Sequence, residues 1–336
     1  MNFTQHSAAK DLFQSLKQIG LSQASINAVL PEWWENSLAD DPAGLAELKI
    51  LLARRLSIDP ATLFSDASSV EFIPVVRRYK GGREDLMEKL CGSTVIAGSL
   101  GRTALRFLDK PQFQLLSNPN ELRERILSSG APWVGLEQLL DLCWAARIPV
   151  LHATFPKNVS KFDALVMAEA DGYSAVLCRN ESSAAWLAFH LAHEIGHIAC
   201  GHIGVDGMIV DERIEDETSN STQQQEVEAN EYAIKLLGSY GLDLPVFNSF
   251  SSYSEIAGSA IKLGYKNKVL PGHLILKGAK RNGNFPLARR ALGRAEEEID
   301  ARDIINDRAH VELSRAGWTD EAEEFITKFV WKKAKG

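Results

Sequence analysis

The run His193-Glu194-Ile195-Gly196-His197 places two imidazoles four residues apart, with a carboxylate next to the first. On a helix of 3.6 residues per turn, positions i and i+4 share a face, so both rings can reach one metal ion. Glu194 lies about 100° round from His193, close enough to meet a metal-bound water without taking a coordination position. Zinc held by three protein ligands keeps a fourth position for water and lowers its pKa to roughly 7. The expected roles are therefore His193 and His197 as ligands and Glu194 as general base, returning the proton to a leaving amine. The flanking residues, Ala184 to Phe189 and Ile198-Ala199, are apolar. Burying two histidines and a glutamate there without a partner would cost several kcal/mol, and a metal is the simplest remedy.

A third ligand is available downstream, in Glu226-Val227-Glu228-Ala229-Asn230-Glu231-Tyr232-Ala233. Glu226 and Asn230 are i and i+4 on one helical face, with Ala229 and Ala233 alongside to permit close approach to the first helix. Asn230 is then placed to accept a ring N–H from a ligand histidine, which fixes its tautomer. Glu226 is the expected ligand. Glu228, about 200° round the wheel and expected to point to solvent, is the alternative.

The elements that must position these groups can be read coarsely. Residues 1–66 look like several short helices, ending in Leu52-to-Phe64 material that suggests a degenerate helix-turn-helix, although the stretch corresponding to a recognition helix carries Glu32, Glu35 and Asp40. Residues 67–245 hold a strand over Val70–Val76 and a helix over Leu136–Ala146. Short β-rich runs follow at 148–155, 163–168 and 173–178, then the metal helix at about 183–200, ended by Gly201. The run Gly204–Gln225 reads as a polar loop, and a helix from about Gln225 to Leu237 follows. Residues 246–336 form a helical C-terminal module. The fold class expected is α+β: the metal helix packed on a small, mostly antiparallel sheet, with helical modules at both ends.

The motif pair "HLAHEIGHIACGH" and "EVEANEYAIKLL", about thirty residues apart, resembles the ImmA/IrrE family of zinc metallopeptidases, as does the order of helix and short strands ahead of it. The resemblance covers roughly residues 130–240, and the N-terminal module more weakly. It implies a zincin-like core with one Zn2+ per chain, ligated by His193, His197 and Glu226, with Glu194 as the catalytic acid/base. It also implies a helix-turn-helix repressor as the protein substrate, whose cleavage derepresses stress-response, defence or mobile-element genes. Two departures stand out: Gly238-Ser239-Tyr240-Gly241 replaces the family's usual Pro after the second helix, and the chain beyond 245 lies outside the resemblance.

Other residues admit a plain reading beside a functional one. His190 and His202 read as hydrogen-bonded or helix-terminal histidines, Cys200 as a buried structural thiol, and Trp33-Trp34 as packing. Cys91 reads as a core cysteine; the sharper alternative is a thiolate that fills zinc's open position and keeps the enzyme latent. Four cysteines without a CxxC pair argue against a disulfide framework. The net charge of −7 disfavours a dedicated nucleic-acid binder, yet Lys262–Arg294 carries nine Lys or Arg and no acid. Within it Lys266, Lys268, Lys277, Lys280, Arg281, Arg289, Arg290 and Arg294, with interleaved aromatics, suit a DNA backbone. The plainer alternative is a helical face balanced by Glu296-Glu297-Glu298 and by the acidic run 206–217. That run reads by default as a solvated connection, and otherwise as a flank of the cleft favouring a basic repressor. The N-terminus lacks a signal-peptide pattern and no apolar run approaches the length of a membrane span, which predicts a cytoplasmic protein without membrane contact. The rival to a peptidase is a non-catalytic DNA- or protein-binding regulator with a structural zinc.

Overall fold

The computed structural model describes residues 5–65, 69–79, 84–109, 115, 117–170, 172–211, 220–244 and 252–330. The N-terminal part contains α1 (Gln5–Gln18), α2 (Gln23–Val29), a 3-10 turn at Asn36–Asp40, α3 (Pro42–Leu56) and α4 (Pro60–Phe64). Pro42 and Pro60 occupy first helical turns, where a missing N–H costs nothing, and Asp41 and Asp59 cap them by accepting backbone N–H groups. Then come β1 (Val76–Tyr79), α5 (Glu84–Leu105), α6 (Pro119–Ser128), α7 (Leu136–Ala145), β2 (Val150–His152), β3 (Ala164–Glu169) and β4 (Gly172–Leu177). The metal-motif helix is α8 (Ala184–Ala199), followed by β5 (Gly207–Asp211) and α9 (Asn220–Leu236). The remainder is helical: α10 (Tyr253–Asn267), α11 (Pro271–Asn282), α12 (Phe285–Ala295), α13 (Ala301–Arg315) and α14 (Asp320–Val330).

The fold is α+β, as expected, but the sheet is more mixed than the sequence suggests. Its order is β1-β5-β3-β4-β2. β3 pairs antiparallel with both β4 and β5, whereas β1–β5 and β2–β4 are parallel. Two further expectations change. The strand anticipated at Val70–Val76 begins only at Val76, because Pro74 cannot donate to a ladder; upstream, Phe72 makes one isolated bridge to Ile58. The run Gly204–Gln225 is not a loop throughout. Gly207–Asp211 is a fully buried strand, and α9 starts at Asn220. The second half of the acidic run, residues 212–217, lies outside the described residues.

One apolar cluster runs from Leu12 and Leu16 through the sheet and α8 to Phe325 and Phe329 of α14, and a second, including Ile256, Leu274, Ile275 and Leu292, lies beneath α10–α12. Arg55, buried on α3, is tied to Glu324 of α14 at 2.6 Å and stacks on the Phe325 ring. The two sheet edges differ. At β2, the Asn306 side chain of α13 accepts from the His152 N–H and donates to the His152 carbonyl, capping that edge. At β1, Val76 is 60% exposed. Among the described residues no helix is long and apolar enough to cross a membrane.

Candidate metal centre

α8 begins at Ser183, whose hydroxyl accepts from the Trp186 N–H, and Glu296 from the C-terminal part accepts from the Ala185 N–H at 2.9 Å. It ends where Gly201 adopts φ 71°, and the turn returns the His202 N–H to the His197 carbonyl at 3.0 Å. Gly196, inside the motif, lies so close to α9 that a Cβ there would meet the Ala229 carbonyl oxygen at 2.9 Å. Glycine at 196 and the buried Ala229 and Ala233 thus let the two helices approach, as the alanines predict.

That approach gathers the site. His193 and His197 turn their Nε2 atoms toward each other at 3.0 Å, and Glu226 offers one oxygen to each, 3.3 Å from either nitrogen. A further residue, not anticipated, completes the group: Asp211, the last residue of β5, has Oδ2 3.1 Å from His193 Nε2. One ligand atom from each of His193, His197, Asp211 and Glu226 lies within 4.8 Å of every other, and all four residues are buried. Glu194 is buried beside them.

The outward nitrogens settle the tautomers. His193 Nδ1 donates to Asn230 Oδ1 at 3.2 Å, as the i, i+4 relation of Glu226 and Asn230 predicts. His197 Nδ1 meets His202 Nδ1 at 3.0 Å, and His202 Nε2 meets the Glu228 carboxylate at 3.0 Å. A carboxylate only accepts, so His202 carries its proton on Nε2 and accepts on Nδ1; His197 must then donate from Nδ1. With the outer nitrogens engaged as donors, both histidines turn Nε2 inward, where a bound cation would take the place of a proton. His202 is hydrogen-bonded, as its plain reading held. Glu228, expected to face solvent, is half-exposed but anchors this relay, and the His202 hydrogen bond lowers its pKa.

The electrostatics favour a cation. Burial works to depress the His193 pKa, but Asp211 foremost, then Glu226 and Glu194, outweigh it and raise it to about 10. His197 is lowered by burial despite Glu226. Burial pushes the Glu226 carboxyl up, yet its hydrogen bonds to both histidines hold it well below the usual range. In the bare chain a histidinium supplies the positive charge that this carboxylate group demands. Two neutral imidazoles and two carboxylates suit a divalent ion such as zinc, so the residues fit a metal.

Beside the cluster, on the Asn230 side, lies a cavity of about 90 Å³ walled by Trp186, Phe189, His190, His273 and Phe285. His190 stacks on Trp186 and is outside the metal group. Cys91 is likewise outside it: its thiol donates to the Ile19 carbonyl at 3.5 Å against Gly20, and burial raises its pKa. The structure does not bring it to the metal-binding group. Cys200 is exposed rather than buried, because it caps α8 after the last turn. Trp33 and Trp34 pack against one another with ring centroids 5.9 Å apart.

The basic residues spread over α10, α11 and α12. Several have partners within the chain other than those expected, although Arg281, Arg289 and Arg290 remain exposed. Lys277 donates to the Ser239 and Leu242 carbonyls, Arg281 pairs with Asp243 at 2.9 Å, Arg289 with Glu181 at 3.2 Å, and Arg290 lies over the Tyr253 ring. Glu296 is spent on capping α8. Lys266, Lys268, Lys280 and Arg294 are exposed, and Lys280 lines the cavity mouth.

These features define a buried centre with two histidines and two carboxylates able to hold a metal ion, on an α+β scaffold. Comparison with known protein families, curated proteins and solved structures found no match for this chain.

Proposed function

We propose that the chain is a zinc-dependent endopeptidase acting on a protein partner. The observation that carries this reading is Glu194, a carboxylate buried inside the cluster beside His193 yet outside the four-residue donor group. A zinc ion held by His193, His197 and Glu226 would supply Lewis acidity and a water of lowered pKa. Glu194 then accepts a proton from the attacking water and delivers it to the departing amine, while Asn230 and the His202–Glu228 pair hold the imidazoles in place. The partner's chain adds to the β1 edge, since β2 is capped by Asn306. The aromatic cavity beside Asn230 takes an apolar side chain of that segment. A helix-turn-helix repressor as substrate is what the resemblance to the ImmA/IrrE family implies.

One observation favours a second reading, a non-catalytic regulator with a structural zinc: four protein donors are already gathered, and structural sites are closed in this way. The variant Glu194→Gln separates the two. The peptidase reading expects bound zinc at wild-type level and loss of partner cleavage by at least about 100-fold, the usual worth of a general base. Undiminished cleavage would refute Glu194 as the base, and regulation that survives the change intact with no cleavage by either form would establish the regulator instead. A trigger by DNA bound at the exposed lysines of α10 and α11 is tested by adding DNA to the same assay: a cleavage rate indifferent to DNA excludes it.

A further inference from the structure

We propose that Asp211 is a fourth, displaceable metal ligand that keeps the centre closed at rest, and that a carbonyl or carboxylate oxygen must exchange for it before the position opens. This rests on the zinc-peptidase reading and adds a resting state to it. The first support is placement. Asp211 Oδ2 is 3.1 Å from His193 Nε2, within the same 4.8 Å group as the other donors, on a residue with no exposed surface. It is fixed there by backbone, not by chance of side-chain reach: β5 runs antiparallel to β3 with Asp211 opposite Ala164, and the Asp211 carbonyl accepts from the Asp163 N–H at 2.8 Å. With two histidines and Glu226, it completes the four-coordination that zinc adopts in closed sites.

The second support is an asymmetry in how the four side chains are held. His193 is backed by Asn230, and His197 by His202 and Glu228. Glu226 reaches both imidazoles, one oxygen to each, so two contacts to the inner nitrogens hold it where Asp211 has one. Apart from its approach to His193, neither Asp211 carboxylate oxygen has a hydrogen-bond partner among the described residues, though both are buried. Contacts behind a ligand hold it on the metal and raise its affinity, so the ligand without them leaves at least cost. A centre closed permanently would also have no use for Glu194. Closure by an unsupported carboxylate reconciles the fourth donor with a base poised for catalysis.

The test uses the full chain loaded with zinc or cobalt(II), in wild-type, Asp211→Asn and Asp211→Ala forms, with acetohydroxamate as a small oxygen-donor probe. All three forms are expected to retain one zinc per chain. The wild-type cobalt(II) protein should show the intense visible absorption of a four-coordinate centre, and both variants should bind acetohydroxamate at least tenfold more tightly than it does. Equal affinity in all three forms overturns the proposal, and so does loss of zinc from the variants alone, which would make Asp211 indispensable. Should neither variant fold, the wild-type spectrum decides: a weak five-coordinate absorption overturns closure. A wild-type chain that holds no zinc overturns the peptidase reading itself, a result distinct from all of these.

Discussion

Each ligand histidine has two nitrogens, and the partner of the outer one determines what the inner one can do. Asn230 Oδ1 takes the His193 Nδ1 proton, and the His202–Glu228 relay takes that of His197. Removing such support typically lowers metal affinity 10- to 100-fold. Asn230→Ala should therefore weaken zinc binding within that range. Glu228→Ala should weaken it less, because its carboxylate is half-exposed and acts through His202. Competition with a chromogenic chelator measures both; an Asn230→Ala protein that binds zinc like the wild type would show that the bond does not orient the ring. At this scale the sequence was informative where chemistry follows from spacing. His193 with His197, and Glu226 with Asn230, share helical faces as periodicity requires, and the two faces meet at the site. Asp211 was not legible, because it lies in an acidic run that reads as a solvated connection. The available signal was the short apolar run Met208-Ile209-Val210 between Gly207 and Asp211, which marks a buried strand.

Between elements, the decisive contact is α8 against α9. It depends on Gly196, where a Cβ would press on the Ala229 carbonyl at 2.9 Å and lie 3.2 Å from the Tyr232 Cβ. The obstruction is backbone, so it cannot rotate away. Gly196→Val should force the helices apart, costing about 1–3 kcal/mol, as overpacking does, and weakening zinc binding because Glu226 and Asn230 both ride on α9. Denaturant unfolding together with zinc titration reads both effects; a variant with unaltered affinity would show that α9 is positioned by other contacts. The sheet taught a different lesson. The apolar runs at β2, β3 and β4 were visible, but whether neighbours run parallel depends on the crossovers between them, which periodicity does not encode.

Across the whole molecule, the joints between chain segments carry buried histidines that the metal centre does not use. His273 on α11 bonds Ser239 beyond the end of α9, and burial lowers its pKa to about 3. His152 on β2 bonds the Arg179 carbonyl, and burial lowers it to about 4. Each is neutral when folded, whereas in the unfolded chain it takes a proton below about pH 6.5. The unfolded state therefore binds more protons in that window, and stability falls as pH drops from about 6.5 toward 4 and 3. Each histidine should cost about 2 kcal/mol between pH 6.5 and 5. Urea unfolding across that range should show the loss, and His273→Gln should flatten its slope; an unchanged slope would mean that His273 meets protons already in the native state.

The amino-acid sequence by itself determined the donors and their local geometry. Two imidazoles at i and i+4, a base between them and a carboxylate–asparagine pair on a second helix are consequences of residue type and helical pitch. Only the tertiary structure decided which remote residues join them. Asp211 arrives through strand pairing and Glu228 through His202, while Cys91 is held away against Gly20. Such meetings depend on how strands pair and helices cross over long separations in sequence, and no local periodicity records them.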